Sequence, residues 1–476
     1  MLENYHHIFI VGIGGSATFN VALILKQMGK RVSGSDAPTI TLTDELLKQN
    51  GIPFVTSFDP AHVPRDSDLV IYSGAHHGKH KAQVVEAQKR EIRIMSLSEF
   101  NGMLLKQFRT SIAVCGCHGK TTTSSLTAYS LLQLNADPSY LIGTATFNEY
   151  FGGGYGKGDV FVIESDEYGV NPPDDKTPKF LSLHPTHCIC TNIDFDHPDV
   201  YNSIEEVKNA FKTFFEQTVS SHPDAKIIAC HDNKHLMDVL SSFPKKNIVT
   251  YGFSHEADIH ISSFSTTETE SHFSLSYLGD PVGDFSISLC GKHSILNAAA
   301  VITLLRELKY DANDIAQAIK GFTGSKRRME LVSYINDTYI FDDYAHHPAE
   351  IKTTLEGAKE RFSKRQVIVL FQPHTYSRTQ SLLADFAESL HVADYAYVLP
   401  IFASARENAA DFYVSSSDIE AKARESGYGN VRAIEEDELN GVLRENVKRG
   451  DVVMTMGAGD VYKRKSAIID VLKTLS

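Results

Sequence analysis

The chain has 476 residues, enough for two to four domains, each with its own core. Its 59 acidic against 46 basic side chains give a formal net charge of -13, which excludes it as a natural wrapper of nucleic acid or an anionic-membrane binder. No apolar run approaches the ~20 residues that span a bilayer, and Met1–Phe9 has no leader-like pattern. These features, with 42% hydrophobic residues and six cysteines, predict a cytoplasmic multidomain enzyme with reduced thiols.

In chain order, short β-branched runs alternate with helical patterns, the signature of parallel α/β sheets. The first unit reads as strand His7–Gly12, a helix from Ala17, strand Arg31–Ser35, helix Leu42–Asn50 and strand Leu69–Tyr72. A second begins with strand Ser111–Cys115 and a helix from Lys120, continuing through strands Val160–Glu164 and His187–Asn192. The C-x-C pairs Cys115/Cys117 and Cys188/Cys190 sit in these apolar runs and read as buried thiols ahead of a zinc site. Between Ala257 and Gly291, alternating Ser, Thr and aromatic residues predict antiparallel hairpins. A third unit follows Gly324, with strands near Tyr339–Asp342, Gln366–Phe371, Tyr395–Pro400 and Val452–Met456. Short joints near Gln107 and Gly324 divide the chain into 1–107, 108–322 and 323–476, with a site expected between domains.

Two glycine loops carry chemistry. Gly12-Ile13-Gly14-Gly15-Ser16-Ala17 follows a strand and satisfies G-x-G-x-x-A, with Asp36 ending the next strand as the dinucleotide fingerprint asks. Alone it reads as a site for NAD, as a tight strand–helix turn without a ligand, or as a site for another diphosphate-bearing nucleotide. Gly116-Cys117-His118-Gly119-Lys120-Thr121 lies between a strand and a helix and is a shortened phosphate-binding loop. Its glycines free backbone N–H groups for β- and γ-phosphates, Lys120 neutralises them, and the Thr121 hydroxyl suits Mg²⁺. An NAD-dependent oxidoreductase would use the first loop and leave the second without a purpose. Two diphosphate loops fit better with one nucleotide spent as ATP and the other serving as a substrate's handle. Glu164 and His197 follow neighbouring strands and, with Thr121, form the expected metal set.

These residues resemble the Mur ligase family along the full length. "VGIGGS" and "GSD" are similar to its UDP-binding domain. "GCHGKTTT", "ESDE" and "TNIDFDH" are similar to its central ATPase domain, and "GKHSILNAAAV" to its adenine-side segment. "KRRME", "DDYAHHP", "FQPHTYSRT" and "MGAGD" are similar to its third domain. The resemblance implies an α/β protein of three domains: a Rossmann-like UDP-binding domain, a P-loop-type ATPase domain with an antiparallel insertion, and a Rossmann-like C-terminal domain. It implies ATP-dependent ligation of L-alanine to the lactoyl carboxylate of UDP-N-acetylmuramate, with ATP and Mg²⁺, in a monomer or homodimer that binds neither nucleic acid nor membrane. The alternative within the family adds a recycled tripeptide to the same acceptor.

By resemblance, Gly12, Gly14, Gly15, Ser16, Asp36 and Ser73 hold the UDP substrate. Gly116, Cys117, His118, Gly119, Lys120, Thr121, Thr122, His293, Asn297, Arg328 (or Arg327) and Asp343 hold ATP. Lys120, His197, His347 and Arg378 serve catalysis, the last two near the incoming amino acid. For His346 and His347 the competing reading is helix capping, with Pro348 in the first turn; for Arg327 it is a solvated surface position. Ser294 stands where an Asn is common, and Thr375 where an Arg is usual. The segment from Glu164 to Phe180 is longer than in most alanine-adding relatives. Lys212 and Phe211 compete for the place at which later-acting relatives carry a carbamylated lysine.

Overall fold

A computed structural model of the protein describes residues 2–37, 42–74, 78–197, 199–402, 407 and 409–474. It contains the three α/β sheets that the sequence predicts. The first has five strands in the order Phe54–Val55, Arg31–Ser35, His7–Val11, Leu69–Tyr72, Arg93–Ser96, all parallel. This is the doubly wound order, which leaves a crevice at the carboxyl end of His7–Val11 where the strand order reverses.

The central sheet has ten strands, with Thr110–Cys115 between His187–Cys190 and Val160–Glu164. Both neighbours run parallel to it, and Ile112 to Cys115 are fully buried, as a strand covered on both faces requires. All six cysteines are free thiols; Cys115 Sγ and Cys188 Sγ are 3.5 Å apart. At one edge, Ile259–Thr266, Ser271–Tyr277 and Asp280–Ile287 are successive neighbours. Leu278 and Gly279, both at positive φ, close the last pair, and so short a connection joins only antiparallel strands.

Two hairpins escape the sequence reading. Ser139–Phe147 pairs antiparallel with Tyr150–Gly154, and Gly169–Asn171 with Asp175–Pro178. The glycines at 152–154 lie in the strand Tyr150–Gly154, where the helix Ser16–Gln27 packs closely: a Cβ on Gly153 would stand 2.4 Å from Asn20 O. Asn20 Nδ2 donates to Ile142 O at 2.9 Å and Thr144 O at 2.7 Å.

Through these contacts the first two sheets form one compact unit, Met1–Ser265, His272–Ser288 and Ser294–Thr323. The second unit comprises Thr266–Ser271, Leu289–His293 and Gly324–Ser476. It holds a six-stranded sheet in the order Glu330–Ile335, Thr338–Asp343, Val452–Met456, Val367–Phe371, Tyr395–Val398, Val431–Ala433. Only the first pair is antiparallel. Apolar clusters cover both faces, one including Phe341, Phe371 and Phe386, the other Ile340, Leu370 and Val453.

Candidate active site

The strand Thr110–Cys115 ends in a loop that only glycine can close. Gly116 has φ 129° and Gly119 φ 80°. A Cβ on Gly116 would stand 2.1 Å from Thr191 Oγ1, and one on Gly119 would stand 2.9 Å from Asn297 Oδ1. Asn192 fixes the turn: its Oδ1 accepts from His118 N at 2.9 Å and its Nδ2 donates to His118 O at 3.0 Å. Asp194 N donates to the buried Cys117 Sγ at 3.2 Å, and His118 Nε2 lies 3.6 Å from Asp194 Oδ2. Lys120, Thr121 and Thr122 then open the helix Lys120–Gln133, whose N-terminus favours negative charge.

Lys120 Nζ donates to both carboxylate oxygens of Glu167 at 2.9 Å and to Cys117 O at 3.2 Å. Burial works against its charge, but Glu167 and Asp166 outweigh burial and hold the pKa well above the usual lysine value. His197 Nε2 is 3.4 Å from Glu167 Oε1 and 3.6 Å from Asp196 Oδ2. Burial disfavours the imidazolium, yet Glu167, Asp196 and Asp166 raise its pKa overall. Donor atoms of Asp166, Glu167 and His197 all lie within 4.8 Å of one another, the spacing of a shared cation site.

The expected metal residues Thr121, Glu164 and His197 fall into two groups. Glu164 is outside that cluster: its Oε1 accepts from Thr121 Oγ1 at 2.9 Å and its Oε2 from Gly143 N at 2.7 Å. Thr121 and Glu164 form one group at the helix start, while His197 belongs with Glu167 and Asp166. Sequence reasoning quoted "ESDE" but gave Glu167 no task; the signal was its place three residues after Glu164. Lys212 is exposed and 4.0 Å from Glu216, whereas Phe211 is fully buried against Phe180.

In the first domain, Gly12, Gly14, Gly15 and Ser16 form the turn before the helix Ser16–Gln27. Asp36 braces it from within, its Oδ2 accepting from Gly14 N at 2.5 Å. Ser73 Oγ closes on Gly12, 2.6 Å from where a Cβ would be. The hairpin after Gly169 docks beside this site: a Cβ on Gly74 would stand 2.0 Å from Val170 O, and one on Gly78 would stand 2.0 Å from Asn171 Oδ1. The longer segment is thus used for packing against the first domain.

In the second unit, Asp343 ends its strand and accepts from Met329 N at 2.7 Å and Ala345 N at 2.8 Å. Burial pushes it up to about 6, with Arg328 opposing. Arg327 is no solvated surface residue: at φ 59° its Nε is 3.0 Å from Asp342 Oδ2 and its Nη2 donates to Gly457 O at 2.6 Å. Arg328 lies 3.6 Å from Glu350 with its side chain 30% exposed, so of the two arginines it is the more open to a ligand. His347 caps the helix Pro348–Arg361, its Nδ1 accepting from Ala349 N at 3.3 Å, as the capping reading expects. His293 lies against Gly357 in this unit, while Asn297 stays with Gly119 in the first. Arg378, in the helix Tyr376–Ser381, has a buried Nε without a hydrogen-bond partner among the described residues. Thr375 precedes it at φ 70°.

Three family descriptions match in succession: the Mur ligase family catalytic domain over 7–109, the Mur ligase middle domain over 114–305 and the Mur ligase glutamate ligase domain over 327–459. UDP-N-acetylmuramate–L-alanine ligase of Desulfitobacterium hafniense is 34% identical over 97% of this chain and 99% of its own. The ligase of that name from Lactobacillus johnsonii is 36% identical over 98% and 99%. The crystal structure of UDP-N-acetylmuramate-alanine ligase from Thermotoga maritima superposes with a TM-score of 0.81 at 26% identity, covering 99% of this chain and 100% of that one. A murein peptide ligase from Psychrobacter arcticus gives 0.72 at 25% identity, covering 99% of each. With a glycine loop, a buried lysine and a carboxylate cluster built as phosphoryl chemistry requires, and with these matches running end to end, the chain belongs to the Mur ligase family.

Proposed function

We propose that this protein joins L-alanine to the lactoyl carboxylate of UDP-N-acetylmuramate at the expense of ATP, releasing ADP and phosphate. The observation that carries the chemistry is the buried Lys120–Glu167 pair at the mouth of the Gly116–Thr121 loop. The full-length likeness to alanine-adding ligases carries the choice of substrate.

An amide forms at neutral pH only if the carboxylate is first activated. A lactoyl oxygen attacks the γ-phosphorus of ATP, ADP leaves, and an acyl phosphate results. The alanine nitrogen then attacks the carbonyl carbon and gives up a proton, and phosphate departs. Lys120 and the loop N–H groups stabilise charge on the transferring phosphoryl group, the largest contribution in such reactions. Until a phosphate arrives, Glu167 holds Lys120 charged and in place. The carboxylates and imidazole of Asp166, Glu167 and His197, and the Thr121–Glu164 pair, are donor sets that fit Mg²⁺. Bound there, the ion would polarise phosphoryl oxygens. Arg378 offers a planar fork to the alanine carboxylate, and its unpartnered buried Nε supports that role.

Tripeptide addition is the second reading, favoured by the length of the Tyr168–Phe180 segment. Docking of that segment on Gly74 and Gly78 accounts for its length without an enlarged amine pocket. ADP release with UDP-N-acetylmuramate tests both readings, L-alanine being compared with L-alanyl-γ-D-glutamyl-diaminopimelate. A higher kcat/KM for L-alanine is expected; a higher value for the tripeptide would reassign the second substrate.

A further inference from the structure

The first-domain loop has a cation that the reaction above does not use. Lys81 immediately precedes the helix Ala82–Lys89 and is only 5% exposed, yet its Nζ has no hydrogen-bond partner among the described residues. It stands over the Phe58 ring, 4.6 Å from the centroid, and points at the strand–helix turn, 3.3 Å from where a Cβ on Gly12 would lie. Burial pushes its pKa down to about 8, with Asp36 opposing. A buried ammonium without an acceptor is costly, and an uncharged chain of similar length would fill the space over Phe58 without that penalty. The same turn opens the helix Ser16–Gln27. There the first internal hydrogen bond runs from Phe19 N to Gly15 O, so the N–H groups ahead of Phe19 have no acceptor inside the helix. An unpartnered amine and a helix N-terminus therefore converge on one small volume, the arrangement that an anion completes.

We infer that Lys81 is a substrate-binding residue whose Nζ takes the diphosphate of the UDP-linked substrate as its missing acceptor. The inference rests on the first domain holding that substrate. Ser73 and Gly12 shape the approach, Gly12 because any side chain there would strike both Ser73 Oγ and the lysine.

Calorimetric titration of the full-length protein with uridine, UDP and UDP-N-acetylmuramate tests this in wild type, Lys81→Met and Lys81→Arg. The wild type should bind UDP far more tightly than uridine. Lys81→Met should weaken UDP and UDP-N-acetylmuramate by about 10- to 100-fold, with uridine unchanged within about twofold. KM for UDP-N-acetylmuramate should rise by the same factor while KM for ATP stays constant, and Lys81→Arg should recover part of the loss. Without ligand, Lys81→Met should melt at or above the wild-type Tm. UDP binding at wild-type strength in Lys81→Met overturns the assignment. So does a lowered unliganded Tm with uridine and UDP weakened alike, which would make the lysine structural. A wild type that binds neither UDP nor UDP-N-acetylmuramate overturns the reading of the domain itself, and shows this before any substitution is made.

Discussion

At Gly116–Lys120 the cation of the loop is neutralised by the protein: Lys120 meets both oxygens of Glu167 at 2.9 Å. At Gly12–Ser16 the nearby cation, Lys81, has no acceptor among the described residues. Both loops follow a parallel strand and open a helix, so the difference lies in what side chains from distant segments bring to them. A loop that handles a transferring phosphoryl group needs its lysine charged and positioned before the nucleotide arrives, and an internal carboxylate serves as stand-in. A loop that only grips a handle can leave its cation to be completed by the ligand, at a cost in stability while it is empty.

The sharpest way to break this contrast is Lys120→Ala. ADP release should fall by at least ~10³-fold, while calorimetry gives UDP-N-acetylmuramate an affinity unchanged within about twofold. The same substitution leaves Glu167 buried and unpaired, and urea denaturation should register a loss of about 3–5 kcal/mol. Equal damage to both binding sites would show that the loops are not independent.

Next in size is metal dependence. Glu167→Gln should raise the Mg²⁺ concentration for half-maximal ADP release by about 10- to 100-fold. His197→Ala should act in the same direction. If Glu164→Gln moved this value and Glu167→Gln did not, the division into two carboxylate groups would be wrong.

Asp343 in the second unit gives a pH test. Its folded pKa of about 6 stands above the usual aspartate value of 3.8. Its contribution to stability is therefore complete below about pH 4 and lost as pH rises through 6. The loss is at most about 3 kcal/mol. Urea midpoints compared between wild type and Asp343→Asn from pH 4 to 7 should differ by this slope, the variant gaining relative to wild type as pH rises. Parallel profiles would remove Asp343 as the source.

Gly74→Ala perturbs the docked hairpin, since the new methyl would meet Val170 O at 2.0 Å. A cost of about 1–3 kcal/mol is expected in urea melts, together with a raised KM for the UDP substrate. Smallest of all is Lys212→Ala, for which ADP release should stay within about twofold of wild type with or without added bicarbonate, because the side chain is exposed beside Glu216. A large loss there, restored by bicarbonate, would reinstate a carbamate.

The local framework was legible in the order of residues. Periodicity marked the strands His7–Val11, Thr110–Cys115, Val160–Glu164 and Val452–Met456 to within a residue or two, and the spacing of Gly116, Gly119 and Lys120 marked the glycine turn between strand and helix, because turn geometry depends on neighbours in the chain. Which carboxylate each loop residue meets came from the folding of distant segments onto one another. Glu164 and Glu167 are equally acidic and three residues apart, yet one is bound to Thr121 and Gly143 and the other to Lys120 and His197. That folding also packed the glycines at 152–154 against Asn20, set Arg327 on Asp342 rather than in solvent, and brought Lys81 to Gly12. Each of these pairings joins residues separated along the chain, and what fixes them is the packing of whole elements, which no local pattern of residues encodes.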